Sequence, residues 1–126
     1  MTIKTANVSM ADKVALIDQL CAQARILPVI TIARKQDILP LADALAAGGL
    51  TALEVTLRSE FGLEAIRVLR DQRPELVTGA GTVLDRHMLA AAEEAGSQFI
   101  VTPGITRDLL EASVASDIPL LPGISN

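Results

Sequence analysis

The amino-acid sequence predicts an α/β protein with a parallel sheet built from repeated strand-then-helix units. Apolar, strand-like runs begin at residues 27, 52, 76, 99 and 119, so successive starts are separated by 25, 24, 23 and 20 residues. Such even spacing is typical of parallel strands joined by right-handed helical crossovers. Half of the residues are hydrophobic and only 2% are aromatic. This composition indicates a core of small aliphatic side chains, which lets helices pack closely on a sheet.

Five strands and five helices are expected in a single domain that covers residues 1–126. The strands are short apolar runs bounded by charged or turn-forming residues, at 27–33, 52–57, 76–79, 99–102 and 119–121. Helical spacing of apolar residues predicts helices over about 10–24, 37–47, 60–73, 85–96 and 106–115. Asp37, Asp85 and Thr106 are the expected N-caps. This rhythm suits both a doubly wound sheet and a barrel.

Charge and hydropathy exclude several classes of partner. The 11 basic and 15 acidic residues are scattered along the chain, for a net charge of −4. With no basic run and no aromatic platform, nucleic-acid binding is not expected. No apolar run approaches the ~20 residues of a membrane span, and residues 1–10 lack the pattern of a signal peptide. A soluble cytoplasmic protein is the expectation.

The single cysteine, the lysines and the histidine do not form a recognisable site. Cys21 is expected to be a buried core thiol. Lys4 and Lys13 are expected to point to solvent, and Lys35 lies in a polar Arg-Lys-Gln loop without an apolar pocket, so none is a convincing Schiff-base nucleophile. His87 is expected on the exposed side of a helix. Because metal sites need clustered ligands, neither a metal nor another cofactor is expected.

A glutamate in an apolar strand is the strongest candidate for chemistry. Alternation puts Glu54 and Thr56 on one face of their strand and the neighbouring apolar side chains on the other. A buried carboxylate is costly unless it is paired or functional. Arg58 lies just past the end of the strand, where a guanidinium suits a carboxylate or phosphate. The alternative interpretation is a structural Glu54–Arg58 pair, or an edge strand with one wet face.

Glycine- and proline-rich segments follow the next three strands. Gly79-Ala80-Gly81-Thr82 lets the backbone come close to a ligand, and the Thr82 hydroxyl can bind an anionic oxygen. Thr102-Pro103-Gly104 and Pro122-Gly123-Ile124-Ser125 indicate rigid turns with exposed N–H groups at one end of the sheet. Each segment alone could be a simple turn, but together they favour a shared binding rim.

Six runs in a fixed order make the chain similar to a known family. They are Pro28-Val29-Ile30, Ala47-Gly48-Gly49, Leu53-Glu54-Val55-Thr56-Leu57-Arg58, Gly79-Ala80-Gly81-Thr82-Val83-Leu84, Thr102-Pro103-Gly104 and Pro119-Leu120-Leu121-Pro122-Gly123-Ile124-Ser125. In these runs, over about residues 26–126, the chain resembles the bacterial 2-keto-3-deoxy-6-phosphogluconate (KDPG) and 4-hydroxy-2-oxoglutarate (KHG) aldolases.

The resemblance implies the fold, the reaction and the site. It implies roughly the first half of a (β/α)8 TIM barrel, a homotrimer, and a metal-free class I aldolase of the Entner-Doudoroff pathway. Such an enzyme cleaves KDPG to pyruvate and glyceraldehyde 3-phosphate through a lysine Schiff base. By this resemblance Glu54 is the general acid/base. Arg58 and Thr82 bind the carboxylate and neighbouring oxygens of the 2-keto acid, and the substrate-binding rim is formed by Thr102, Pro103 and Gly104.

One part of the family pattern does not occur in these residues. The family's Schiff-base lysine belongs to a sixth strand, in an F-K-F-F-P-like run, and its phosphate site to turns near the last strands. The 126-residue chain taken alone is therefore expected to be inactive. The alternatives are a non-catalytic half-barrel that acts as a binding or oligomerising structural module, and another phosphate-handling barrel.

Overall fold

The computed structural model describes residues 7–124 as five helices around one sheet of five strands. The helices are α1 (Met10–Gln23), α2 (Ile38–Ala47), α3 (Gly62–Gln72), α4 (Arg86–Glu94) and α5 (Arg107–Ala115). The strands are β1 (Val29–Ile30), β2 (Ala52–Thr56), β3 (Val77–Gly81), β4 (Ile100–Thr102) and β5 (Leu120–Pro122). A short 3-10 turn, Lys35–Asp37, precedes α2. Lys4 lies outside the described residues.

The strand order distinguishes a barrel wall from a doubly wound sheet. The five strands are all parallel and pair in the order β1-β2-β3-β4-β5. A doubly wound sheet reverses its strand order at a switch point, whereas every crossover here advances in one direction. The predicted parallel α/β architecture is confirmed, and its topology is that of a barrel wall.

The two faces of the sheet bury different cores. The helix face, defined by the side chains of Leu53, Val55, Ala80 and Ile100, forms the large apolar core with residues of α2 to α5. The inner face, defined by Ala52, Glu54 and Thr56, alternates with it along β2. At its amino-terminal end the inner face packs Ala52 and Phe99 against Leu20 of α1. Helix α1 therefore covers the inner face below the level of Glu54.

The helix starts confirm two of the three predicted caps. The side chains of Asp85 and Thr106 accept hydrogen bonds from the Met88 and Leu109 amides, at 2.8 and 3.1 Å. Asp37 lies at the N-cap position of α2 without a capping bond. Its carboxylate accepts hydrogen bonds from the Arg34 guanidinium instead, so its predicted capping role is wrong.

Two strands have an end that lies two or more residues from its predicted position. The first is limited to Val29–Ile30 instead of 27–33, because it has a neighbour on one side only within residues 7–124 and Pro28 lacks a backbone donor. The third extends to Gly81. Gly79 belongs to the strand as predicted, and the expectation that Gly81 follows the strand is wrong.

Helix α1 contradicts two predictions about its polar side chains. Lys13 is only 5% exposed, and its Nζ donates to the Ser113 carbonyl oxygen at 3.0 Å. The face of α1 expected in solvent is thus covered by α5. Cys21, expected in the core, is exposed, while its neighbour Leu20 is buried. Of the helices in residues 7–124, none has the length and apolar character that crossing a membrane requires.

Replacing Gly79 by alanine should destabilise the fold. A β-carbon at Gly79 would overlap the ring of Phe99, which is 1% exposed, so the ring or the strand must shift. Overpacking of this kind costs about 1–3 kcal/mol, which we expect as a lower free energy of unfolding for Gly79→Ala in urea titrations. Combining it with Phe99→Leu should recover part of the loss. Equal losses in the single and double variants would contradict the proposed clash.

Candidate functional site

Glu54 is the polar centre of the inner face. Its side chain is 7% exposed and lies across β3, whose register pairs Glu54 with Gly79 and Thr56 with Gly81. A β-carbon at Gly81 would overlap the Glu54 carboxylate and lie 2.6 Å from its Cδ. The carboxylate therefore occupies the space that the missing side chain of Gly81 leaves open. The prediction that Glu54 lies on the face opposite Leu53 and Val55 is confirmed.

Burial raises the pKa of Glu54 above its ordinary value of 4.5. The nearby positive charge of Arg58 acts in the opposite direction and is the smaller effect. Desolvation disfavours the charged form of a carboxyl group, so the group keeps its proton to a higher pH than an exposed glutamate. A carboxyl group with a raised pKa is suited to transferring protons near neutral pH.

The raised pKa of Glu54 predicts how stability depends on pH. Because the folded-state pKa lies above the unfolded value, the folded protein binds more protons between the two values, and stability falls as the pH rises through that window. The neutral side chain of Glu54→Gln removes this penalty. We therefore expect the variant to gain stability relative to the parent protein from about pH 4 to neutral pH. Urea unfolding of both proteins across this range measures the gain, and a difference independent of pH would contradict it.

Thr82 follows β3 directly and has an unusual backbone conformation. Its φ is +59°, and among residues 7–124 it is the one non-glycine residue with a positive φ. A threonine in this left-handed region stores about 1–3 kcal/mol of strain, and such residues are enriched at functional sites. Its side chain is half-buried. Thr82 directly follows Gly81, and the Glu54 carboxylate lies over Gly81. Thr82 is therefore a near neighbour of that carboxylate.

Arg58 lies two residues beyond the end of β2 and is exposed. Its effect on the pKa of Glu54 places its charge near that carboxylate. An exposed guanidinium at the carboxyl end of the strands is free to bind an anionic group. The structure thus places Arg58 and Thr82 just beyond the carboxyl ends of the adjacent strands β2 and β3, with Glu54 two residues before the end of β2.

The rim segment after β4 is arranged differently from the prediction. Thr102 is 2% exposed. By strand alternation its side chain points the same way as that of Ile100, so it lies on the helix face and not on the inner face. Its carbonyl oxygen accepts a hydrogen bond from the Gly123 amide at 2.7 Å. The Gly123 amide, expected to be exposed, is therefore bonded within the protein. Pro103 and Gly104 are exposed.

The structure adds one inner-face residue that the sequence analysis did not single out. The Thr31 hydroxyl lies 2.7 Å from that of Thr56, just beyond the end of β1. The register pairs Val29 with Glu54 and Ile30 with Val55, which places residue 31 opposite residue 56. Alternation along each strand places Thr31 and Thr56 on the inner face. That they are neighbours follows only when the pairing of β1 with β2 is known.

The remaining ionisable candidates lie away from this group. His87 is exposed on α4, as predicted, and Lys35 forms an ion pair with Glu64 at 2.7 Å. Within residues 7–124, no three His, Cys, Asp or Glu side chains are grouped closely enough to hold a metal ion. The carboxyl ends of β1 to β3 are therefore the best candidate active site.

Comparison with known proteins identifies the family. Residues 17–126 match the family profile described as KDPG and KHG aldolase. The chain belongs to this family. It is 61% identical to the 2-dehydro-3-deoxy-phosphogluconate aldolase of Pseudomonas aeruginosa, over 94% of the chain and 54% of that protein. It is 48% identical to the KHG/KDPG aldolase of Escherichia coli, over 79% of the chain and 47% of that protein.

Solved aldolase structures share the fold. The KDPG aldolase of Zymomonas mobilis ZM4 with 3-phosphoglycerate superposes with a TM-score of 0.84 at 46% identity, over 94% of the chain and 54% of that structure. The KDPG aldolase of Legionella pneumophila, with pyruvate captured as a covalent carbinolamine, gives a TM-score of 0.82 at 42% identity. This match covers 85% of the chain and 52% of that structure. The chain spans about half the length of these relatives, and its fold is the first part of a TIM barrel.

Proposed function

We propose that this aldolase chain, continued to the length of its relatives (hereafter the full-length form), is a class I enzyme that cleaves KDPG. The products are pyruvate and glyceraldehyde 3-phosphate, as in the Entner-Doudoroff pathway, and KHG is a second substrate. The observation that carries the proposal is the buried Glu54 on the inner face, whose pKa is raised by burial. Membership of the aldolase family supports the reaction class.

Glu54 is proposed to move the protons of the reaction. Retro-aldol cleavage removes a proton from the substrate hydroxyl as the carbon–carbon bond breaks, and the pyruvate fragment is then protonated on carbon. A carboxyl group whose pKa is raised by burial can perform both transfers. The low solvent exposure of Glu54 excludes most of the water that would otherwise compete for those protons.

Arg58, Thr82 and the rim are proposed to orient the substrate. The Arg58 guanidinium can bind the carboxylate of the 2-keto acid through two oxygens, and the half-buried Thr82 hydroxyl can bind a neighbouring oxygen. Pro103 and Gly104 border the same end of the sheet. Since the Thr102 side chain faces the helix face, we propose that this residue shapes the rim through its carbonyl bond to Gly123.

The covalent step is proposed to use a lysine of the sixth strand, supplied by the full-length form. The pyruvate seen as a carbinolamine in the Legionella relative is the precedent for such an intermediate. The test is to reduce the full-length form with borohydride in the presence of pyruvate and to measure its mass. A pyruvate adduct, together with pyruvate release from KDPG in the presence of a metal chelator, is expected. A lack of both would refute the proposal.

A homotrimer located in the cytoplasm is the proposed form of the active enzyme. The support is the family membership of the chain. Light scattering of the full-length form measures its mass in solution, and a monomer would refute the trimer.

A second candidate is an oligomerising half-barrel module without catalysis. The observation in its favour is an apolar cleft of about 270 Å³ beside β5, lined by Met10, Val14, Leu110 and Leu120 among others. Met10, Val14 and Leu110 are each more than half exposed. If the 126-residue chain is such a module, its mass in solution should be at least twice the 13.3 kDa of one chain. A soluble monomer would rule this candidate out.

A further inference from the structure

Thr31 and Thr56 form a hydroxyl pair on the inner face. Their Oγ1 atoms are 2.7 Å apart, a normal distance for hydrogen-bonded hydroxyls. Thr56 is 1% exposed, whereas Thr31 is exposed. Thr56 follows Glu54 by two residues on the same face of β2, so the pair lies about 7 Å nearer the carboxyl end of the sheet than Glu54.

The two hydroxyl hydrogens of this pair have different surroundings. Each hydroxyl carries one hydrogen, and the bond between them uses only one of the two. If Thr31 donated, the hydrogen of Thr56 would be left in a buried position, which is costly unless it finds another acceptor. If Thr56 donates, the free hydrogen belongs to the exposed Thr31 and can reach a ligand. The second arrangement satisfies the buried hydroxyl at no cost.

We propose that Thr31 is a substrate-binding residue whose hydroxyl donates to an oxygen of the bound 2-keto acid. Thr56 holds the Thr31 oxygen from the neighbouring strand, which leaves the free hydrogen available to the inner space above Glu54. The oxygen it meets is an uncharged hydroxyl oxygen on the part of the acid nearer the carboxyl end of the sheet. This inference depends on the proposed aldolase function, because it assigns a further contact in the same site.

The test compares Thr31→Val and Thr31→Ser in the full-length form, with Thr78→Val as the matched control. Valine keeps the shape of threonine without its hydroxyl, and serine keeps the hydroxyl. Thr78 lies on the helix face, and its buried hydroxyl has no hydrogen-bond partner. Loss of a hydrogen bond to an uncharged group should lower kcat/KM for KDPG about 3- to 10-fold in Thr31→Val, chiefly through KM. Thr78→Val should stay close to the parent enzyme, and Thr31→Ser, which keeps the hydroxyl, should recover most of the activity that Thr31→Val loses.

Two results would overturn the role of Thr31, and each differs from a failure of the proposed function. If Thr31→Val lowers the unfolding midpoint but leaves kcat/KM unchanged, the hydroxyl pair is structural only. An equal loss in Thr31→Ser would show that the hydroxyl is not what matters. If the parent enzyme does not cleave KDPG, the proposed function fails instead. Calorimetric binding of KDPG to the same variants then tests Thr31, and an unchanged Kd would refute its role.

Discussion

Glu54→Gln is expected to lower the turnover of the full-length form about 100- to 10,000-fold, the usual contribution of a general acid/base. The amide has nearly the shape of the carboxylate, so the packing over Gly81 should persist. It cannot accept or release the proton that cleavage requires. In the proposed mechanism imine formation with pyruvate uses a lysine of the sixth strand, so borohydride should still trap pyruvate on the variant. The measurements are kcat for KDPG cleavage and the yield of trapped adduct.

The matched control for this change is Glu75→Gln. Glu75 is an exposed residue just before β3, at the opposite end of the strand from Thr82, and its substitution should leave kcat unchanged. Glu54→Asp adds a second comparison, because it keeps the carboxyl group but withdraws it from β3. Its activity should fall between those of Glu54→Gln and Glu75→Gln. Unimpaired turnover in Glu54→Gln would remove Glu54 from the mechanism. Loss of trapping together with turnover would indicate a damaged site instead.

The fold could be predicted from the sequence because its determinants are local. Apolar runs at regular spacing fixed the order of strands and helices, and alternation along β2 put Glu54 on the face opposite Leu53 and Val55. The caps Asp85 and Thr106 are likewise local, since each hydroxyl or carboxylate binds an amide three residues later. The spacing alone could not distinguish a barrel from a doubly wound sheet. The observed strand order identifies a barrel wall.

The errors concern contacts between distant parts of the chain. Lys13 is buried because α5, about 100 residues later, covers it, and no helical pattern in α1 contains that information. Cys21 was assigned to the core by its apolar neighbours, yet α1 buries mainly Leu20 on that turn. Thr31 could not be predicted for the same reason, because its importance depends on the hydrogen bond with Thr56 on the neighbouring strand.

The two glycines of β3 are the clearest case of a motif with an unexpected role. The sequence predicts that Gly79-Ala80-Gly81-Thr82 lets the backbone approach a ligand, or forms a simple turn if the segment is taken alone. In the fold, Gly79 leaves room for the Phe99 ring and Gly81 leaves room for the Glu54 carboxylate. The first contact positions the core and the second positions the candidate catalytic group. Substitution at the two positions should therefore have different consequences.

Gly81→Ala is expected to lower kcat for KDPG cleavage about 100-fold with little effect on stability. A new β-carbon would overlap the Glu54 carboxylate, which is the end of a flexible side chain and can rotate away, unlike the rigid ring that opposes Gly79. Displacement of a reacting group by about 1 Å can cost about 100-fold in rate. The stability lost to this movement is offset by the preference for alanine over glycine inside a strand, about 0.5–1 kcal/mol. Steady-state kinetics and urea unfolding measure the two effects.

Gly48→Ala is the control for Gly81→Ala, since a β-carbon there would lie at 3.4 Å from the Leu45 carbonyl oxygen. Gly48 follows α2 and precedes the amino end of β2, whereas the candidate site is at the carboxyl ends of the strands. It should leave kcat unchanged. Together the three alanine variants separate the roles of the glycines: Gly79→Ala should lose stability, Gly81→Ala activity and Gly48→Ala neither. If Gly81→Ala kept full activity, the position of the Glu54 carboxylate over β3 would not matter for catalysis, and Glu54 would have to act from another rotamer.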